Sequence, residues 1–295
     1  MLKKNKEKLM QTTLDCIPCL VRQSLDATRF VTEDNDVQQQ IMKEVLGVAS
    51  KMDFQQSPPA FAQLIHRRLR EIIGDSDPYR KVKETFNRLA LDLLPDIRHR
   101  ITASAHPFEL ALKVAIAGNV IDFGVNANIT VDGVRNAISA IIDSPIQGDI
   151  AQFQAAVGKA ERILYLADNA GEIVFDRLLI EQLPLKSVTV AVRGNPILND
   201  ATIEDAECAG IDQLVKVIGN GSDAPGTILS DCSNEFLKHF READLIISKG
   251  QGNFETLSRR PENIFFMMKV KCQVIASHTG CSLGTHLLLK SENHR

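Results

Sequence analysis

The 295-residue chain contains no tryptophan and only two tyrosines, and aromatic residues make up 5% of its composition. Such a chain offers few side chains on which nucleic-acid bases could stack. Its 34 basic and 37 acidic residues give a net charge of −3, which creates no overall field for nucleic acid or an anionic membrane. No apolar run approaches the roughly 18 uninterrupted residues of a membrane span. These absences predict that neither nucleic acid nor a membrane is a partner.

Cysteine is also sparse for the length of the chain. Six cysteines in 295 residues do not form the disulfide framework of a small secreted protein. The first eleven residues carry four lysines but no apolar stretch follows them, so no secretory signal is expected. We therefore expect a cytoplasmic protein with reduced thiols. The role of the pair Cys16 and Cys19 stays open between structure, metal binding and redox chemistry.

The chain divides into two halves of different character. Residues 1–159 show helical apolar spacing, with Ser57 and two prolines typical of a helix start, and further helices predicted at 107–117 and 151–160. Residues 160–295 instead contain short β-rich runs separated by segments long enough for helices. This alternation predicts a three-layer, doubly wound, mostly parallel α/β sheet of Rossmann-like type, with an N-terminal helical subdomain packed against it as one compact unit. The five predicted strands are 163–167, 187–192, 214–218, 244–248 and 272–276.

Polar residues follow each predicted strand at the point where the strand ends. Because ligands of an open α/β sheet bind beyond the carboxyl ends of parallel strands, we expect these residues to converge on one crevice. After the fifth strand this position falls on residues 277–280. The residues after the first four strands are Asp168, Asn169 and Glu172, then Arg193 and Asp200, then Asp223, then Lys249, Gly250 and Asn253.

The chemistry of these side chains indicates a site for a metal-bound phosphate. Asp168, Asn169 and Asp200 supply carboxylate and amide oxygens, which hard divalent cations such as Mg²⁺ or Mn²⁺ accept. Lys249 adds a cation, and Gly250 allows a backbone N–H group to approach an anion. An ordinary structural interpretation exists beside this one: Asp168 and Asp200 would cap the helices that follow them, because Asp is favoured at helix starts.

The ordered set of motifs resembles one known family. Asp-Asn-Ala-Gly-Glu at 168–172, Arg-Gly-Asn-Pro with Asn-Asp at 193–200, and Lys-Gly-Gln-Gly-Asn-Phe-Glu at 249–255 are similar to motifs of the damage-control phosphatases, also called acidic-residue-methyltransferase-like proteins. Asp-Cys-x-Pro-Cys at 15–19 and Ala-Gly-Asn-x-Ile-Asp at 117–122 resemble its small microbial branch.

The resemblance implies hydrolysis of phosphate esters, such as sugar phosphates or damaged phosphometabolites. It implies a divalent ion (Mn²⁺, Mg²⁺, Co²⁺ or Ni²⁺) on Asp168, Asn169 and Asp200, with Lys249 contacting the phosphate. Asp168, Asp200 and Lys249 would be the catalytic residues. Either Asp200 or Glu172 would orient the attacking water or act as a nucleophile, and the sequence leaves this choice open. The remaining residues assigned to substrate binding are Asn119, Asp122, Glu172, Arg193, Asp223, Gly250 and Asn253.

Two other functions remain open at this point. One is an S-adenosylmethionine-dependent carboxyl methyltransferase, a role also proposed within the family. That function favours a glycine-rich loop after the first strand, whereas here the strand is followed by Asp168 and Asn169. The other is a non-catalytic protein that binds a metal or a metabolite.

Overall fold

The fold is described by a computed structural model for residues 10–118, 133, 135–136, 139–140 and 144–291. The predicted substrate-binding residues Asn119 and Asp122 lie outside these described residues. The predicted division at residue 160 stays a prediction.

The described part of the first half is helical, as the apolar spacing predicts. Ser57 precedes a helix that begins with two prolines, although its side chain makes no capping hydrogen bond. Asp77 precedes Pro78 but does not cap the next helix, which begins at Arg80; its carboxylate instead binds the Lys83 ammonium at 2.9 Å. The helices of this half are α1 (Cys16–Val31), α2 (Asn35–Ala49), α3 (Pro58–Ile73), α4 (Arg80–Thr102), α5 (Pro107–Ala117) and α6 (Ile150–Lys159).

The second half forms a six-stranded sheet in the order β3-β2-β1-β4-β5-β6. The first five strands are parallel, and β6 is antiparallel to β5. The strand order reverses between β1 and β4, which makes the gap beyond their carboxyl ends the topological switch point. The strands are β1 (Ile163–Leu166), β2 (Val188–Val192), β3 (Lys216–Gly219), β4 (Leu245–Lys249), β5 (Ile264–Lys269) and β6 (His286–Lys290).

Helices cover both faces of the sheet and bury two separate apolar clusters. Successive side chains of a strand point to opposite faces, so Ile163 and Tyr165 belong to one cluster while Leu164 and Leu166 belong to the other. Helices α4, α5 and α6 of the first half share the first cluster. This confirms the three-layer α/β fold. The helices of the second half are α7 (Glu172–Ile180), α8 (Ile203–Cys208), α9 (Asn234–Glu242), α10 (Gln251–Leu257) and α11 (Gln273–Thr279).

The prediction of the last strand is wrong. Residues 272–276 do not form a strand, because this segment belongs to helix α11 and Cys272 is the residue before its first turn. Residues 277–280 therefore end a helix and do not lie at a strand end. The fifth parallel strand is β5, whose first five residues are buried, and β6 is an additional edge strand. A short apolar run does not distinguish a buried strand from a helix by its spacing, and this ambiguity explains the error.

The described residues include no helix that combines the length and the apolar character needed to cross a bilayer.

Burial of His66 in α3 predicts a pH-dependent stability. Burial, and to a smaller extent Arg70, lowers the pKa of this imidazole to about 4. The unfolded chain takes up this proton near pH 6.5, so the free energy of unfolding falls as pH drops from about 6.5 towards 4, by up to about 3 kcal/mol. We expect His66→Gln to remove most of that decrease, as measured by urea unfolding at pH 7.5 and 4.5.

The control for this prediction is His99→Gln, because His99 is exposed on α4. An equal loss of stability between pH 7.5 and pH 4.5 in the two variants would contradict the assignment to His66.

Candidate active site at the switch point

The site lies at the topological switch point, where the loops after β1, β2 and β4 meet. Leu166 is paired with Ala191 of β2 on one side and with Ser248 of β4 on the other. Beyond the strand ends, the Asp168 carboxylate faces the Arg193 guanidinium and lies against Gly250. The polar residues predicted from the strand ends are therefore neighbours because the parallel strands end at the same edge of the sheet.

Backbone hydrogen bonds join the segment after β1 to the segment after β2. The amide of Ala201 donates to the carbonyl of Asp168 at 2.8 Å, and the amide of Ala170 donates to the carbonyl of Asn199 at 2.8 Å. Asn169 and Asp200 form an isolated antiparallel bridge between these two bonds. Asp168, Asn169 and Asp200 are thus held together by main-chain contacts, although Asp168 and Asp200 lie 32 positions apart in the sequence.

The Arg193 guanidinium, 3% exposed, lies between the two aspartates. Its Nε donates to Asp200 Oδ2 at 2.6 Å, and its Nη2 lies 3.6 Å from Asp168 Oδ1. Nη1 donates to the Gly226 carbonyl at 3.0 Å and to Asn253 Oδ1 at 3.1 Å. Nη2 makes no hydrogen bond to any described residue. Nη2 is therefore a buried donor whose nearest anionic neighbour is Asp168, and the fully buried Asn253 holds the guanidinium through Nη1.

The Asn169 amide is oriented by two carboxylates. Its Nδ2 donates to Asp168 Oδ2 and to Glu172 Oε2, each at 3.0 Å. These two bonds fix which end of the amide is the nitrogen. They leave Oδ1 as the atom of the amide that could be offered to a cation.

Lys249 is the deepest member of the site, with a side chain that is 0% exposed. Its ammonium donates to the Ala115 carbonyl at 2.8 Å, to Glu172 Oε1 at 2.6 Å and to Asp176 Oδ1 at 2.5 Å. All three N–H groups of the ammonium have an acceptor in this arrangement. The structure therefore places Lys249 below the site, in contact with α5 and α7.

The buried charges of this group do not balance. Among the described residues, two buried cations, Lys249 and Arg193, face the carboxylates of Asp168, Asp200, Glu172 and Asp176, so the formal charge of these buried groups is −2. The exposed Lys271 also lies near enough to act on Asp168. Asp168 is the most exposed of the four carboxylates, at 12%, against 6%, 1% and 0% for Asp200, Glu172 and Asp176. The excess negative charge is therefore most exposed to solvent at Asp168.

The acid–base properties of the cluster follow from this imbalance. Burial first, then repulsion from Asp200 and Glu172, raises the pKa of the Asp168 carboxyl well above its ordinary value. Burial raises the pKa of Asp176 to about 6, although Lys249 opposes the shift. Burial would lower the pKa of the Lys249 ammonium, but Asp176 and Glu172 raise it above its usual range. A divalent cation would neutralise the cluster and remove the repulsion that raises the pKa of Asp168.

The donor set fits a hard divalent cation. Asp168, Asn169 and Asp200 offer two carboxylates and an amide oxygen, which is typical of Mg²⁺ or Mn²⁺. Within the described ranges, no three His, Cys, Asp or Glu side chains converge to hold a metal. The predicted set consists of two such residues and one amide.

Gly250 is required by its contact with Asp168. Its φ of +78° and ψ of 164° define a backbone conformation that residues other than glycine rarely adopt. A Cβ atom at this position would lie 2.0 Å from Asp168 Oδ2. Because Gly250 has no Cβ atom, the Asp168 carboxylate can occupy this space.

Helix capping does not explain the two aspartates. Helix α7 is preceded by Gly171, and helix α8 is capped by Thr202, whose hydroxyl and amide both bind the Asp205 carboxylate. Asp168 and Asp200 lie three and two residues before these cap positions.

The loop after β3 is held by helix α3. Gln63 Nε2 donates to Asp223 Oδ1 at 2.6 Å, Arg67 Nε donates to Asp223 Oδ2 at 2.9 Å, and Arg70 binds the same carboxylate. Arg70 also donates to the Pro196 carbonyl at 3.0 Å. The structure thus pairs Asp223 with two arginines from the first half of the chain.

Sequence reasoning missed Asp176 and the two arginines of α3. Asp176 lies one helical turn after Glu172, and this i,i+4 spacing on α7 is a signal that could have found it. Arg67 and Arg70 lie on a helix far from any strand end, and their partner is about 150 residues away. No local pattern in the sequence indicates that contact.

A doubly wound α/β fold with an acidic site at its switch point is the class of protein that this geometry defines. The model of the damage-control phosphatase ARMT1-like domain matches residues 12–287. The chain therefore belongs to the family of damage-control phosphatase ARMT1-like domains.

Individual relatives agree with this family over most of the chain. The damage-control phosphatase PH1575 of Pyrococcus horikoshii is 34% identical, with 96% of this chain and 99% of that protein covered. A damage-control phosphatase of Archaeoglobus fulgidus is also 34% identical, with 91% and 95% covered. The crystal structure of a DUF89 family protein from P. horikoshii superposes with a TM-score of 0.89 at 33% identity, covering 96% of this chain and 100% of that one.

Replacement of Gly250 tests the packing of Asp168. We expect Gly250→Ala to lower the free energy of unfolding by about 2–3 kcal/mol from backbone strain, and by more if Asp168 cannot move aside. It should also abolish Mn²⁺ binding measured by titration calorimetry, because the new Cβ displaces a carboxylate of the site.

Gly74→Ala is the matched control, because Gly74 has a φ of +73° but a Cβ there would meet nothing within 4 Å. It should cost about 1 kcal/mol and leave Mn²⁺ binding unchanged. Equal Mn²⁺ affinities for the two variants would contradict the role given to Gly250.

Proposed function

We propose that this protein is a metal-dependent phosphatase, a phosphoric monoester hydrolase that acts on small phosphorylated metabolites such as sugar phosphates or damaged phosphometabolites. The names of the P. horikoshii and A. fulgidus relatives support phosphatase activity. The observation that carries the proposal is the formal charge of −2 of the buried cluster that includes Asp168 and Asp200 and reaches solvent at Asp168.

Asp168, Asn169 and Asp200 are the residues that would hold a Mn²⁺, Mg²⁺, Co²⁺ or Ni²⁺ ion. When bound, such an ion supplies a Lewis acid that withdraws charge from phosphoryl oxygens and makes a water molecule more acidic. The ion would also reduce the repulsion between the negative site and an anionic substrate.

The residues of the chain have distinct roles in this proposal. Arg193 Nη2, which makes no hydrogen bond in the structure, is a donor for a phosphoryl oxygen beside Asp168. Glu172 is engaged on both carboxylate oxygens, so it would have to exchange one of these contacts to orient the attacking water. Lys249 has three acceptors in the structure, so we assign it a supporting electrostatic role.

Release of phosphate from p-nitrophenyl phosphate tests the proposed reaction. We expect turnover with Mn²⁺, Co²⁺, Ni²⁺ or Mg²⁺ and loss of turnover after treatment with EDTA. Binding of S-adenosylmethionine without phosphate release would support the methyltransferase instead. Binding of a metal or a phosphate ester without any turnover would support a non-catalytic protein.

Replacement of Asp168 tests the assignment of the site. We expect Asp168→Asn to reduce metal-dependent turnover by at least about 100-fold, because it removes a carboxylate ligand and half of the excess charge. The thermal midpoint of the metal-free protein should not decrease, since the substitution removes a repelled, buried charge.

Asp244→Asn is the control for this prediction. Asp244 is exposed and binds Arg162 at the amino ends of the strands, away from the site. Undiminished turnover in metal-loaded Asp168→Asn would overturn the site assignment even if the wild-type protein is a phosphatase.

A further inference from the structure

We propose that Asp176, to which neither the motifs nor the relatives give a role, is a positioning residue for the metal site and acts through Lys249 and Glu172 on Asn169. The inference rests on the proposed function and names a further residue on which that function depends.

The contacts form an unbroken buried path from Asp176 to the predicted metal ligand. Asp176 Oδ1 accepts from the Lys249 ammonium at 2.5 Å, and the same ammonium donates to Glu172 Oε1 at 2.6 Å. The other oxygen of Glu172 accepts from Asn169 Nδ2 at 3.0 Å. Asp176, Lys249 and Glu172 are each exposed by 1% or less. No solvent layer separates the members of this path.

The orientation of the Asn169 amide depends on how the two oxygens of Glu172 are held. Lys249 holds one of them, and the position of the Lys249 ammonium is set by Asp176 and by the Ala115 carbonyl at the C-terminal part of α5. Without the Asp176 charge, the ammonium would have Glu172 as its one anionic partner. It would then draw that carboxylate away from Asn169.

Like its position, the negative charge of Asp176 favours the binding of a divalent cation. The cluster is formally −2 with Asp176 ionised and −1 when this residue is neutral. A divalent cation would then leave a net positive charge in a buried site, where charge is poorly screened. Both effects weaken the binding of a divalent cation.

A second buried lysine provides a matched comparison. Lys83 binds Asp77 at 2.9 Å and Asp205 at 3.4 Å, and all three side chains are buried. Asp205 also binds Asn87, whose Oδ1 accepts a hydrogen bond from the amide of Gly171 in the site loop, so Asp77 is the better control residue. Asp77→Asn removes a buried aspartate from a lysine pair without altering the path to Asn169.

The experiment is a Mn²⁺ titration followed by electron paramagnetic resonance on the wild-type protein, Asp176→Asn and Asp77→Asn. Replacement of residues that orient metal ligands typically costs 10–100-fold in metal affinity. We expect the dissociation constant for Mn²⁺ to rise at least tenfold in Asp176→Asn and to stay within twofold of wild type in Asp77→Asn. At saturating Mn²⁺, KM for p-nitrophenyl phosphate should be unchanged in Asp176→Asn.

Two further variants keep the test decisive. Asp176→Glu retains the charge and should restore at least part of the Mn²⁺ affinity that Asp176→Asn loses. If Asp176→Asn does not fold, Asp176→Ser replaces it, because the smaller side chain leaves room for a water at the ammonium. Wild-type Mn²⁺ affinity in the folded neutral variant, or equal losses in Asp176→Asn and Asp77→Asn, would overturn the inference. Failure of the wild-type protein to bind any of Mn²⁺, Mg²⁺, Co²⁺ and Ni²⁺ would overturn the proposed function itself.

Discussion

The unequal number of buried carboxylates and cations at the carboxyl edge of the sheet is the constraint on which the site depends. Burying four carboxylates beside two buried cations of the described residues, Lys249 and Arg193, is unfavourable, because ions lose hydration and like charges repel each other. Burial, and then repulsion from Asp200 and Glu172, raises the pKa of Asp168 well above its ordinary value. A group of this kind contributes little to folding, and in the function proposed here it would bind a divalent cation.

The apolar layers of the fold provide the stability that the site does not. Each face of the sheet is covered by its own apolar cluster, and the helices α4 and α5 pack on α7, which carries Glu172 and Asp176. The helical half therefore contributes to the site directly, because the Ala115 carbonyl of α5 is one of the three acceptors of Lys249. Arg67 and Arg70 of α3 bind the loop after β3 in a similar way. Both halves of the chain thus hold the loops in place around the switch point.

The sequence predicts the fold well where a strand has an unambiguous pattern and fails where a short apolar run does not distinguish strand from helix. The first four strands lie close to their predicted positions, whereas residues 272–276 are helical and β5 was missed. The proximity of Asp168 and Asp200 could be predicted, because the ends of parallel strands meet at one edge. The burial of Lys249 could not, because its partners Ala115, Glu172 and Asp176 come from other elements, 73 to 134 positions away. The predicted phosphate contact of Lys249 stays a prediction, and the structure shows which contacts it would have to exchange.

The most direct test of the central claim is a crystal of the protein grown with Mn²⁺ and measured at a wavelength where manganese scatters anomalously. If the excess charge holds a metal, we expect one strong anomalous peak per chain. It should lie within bonding distance of a carboxylate oxygen of Asp168, Oδ1 of Asn169 and a carboxylate oxygen of Asp200. No anomalous peak at this position in a Mn²⁺-saturated crystal, or a peak held by other residues, would contradict the claim.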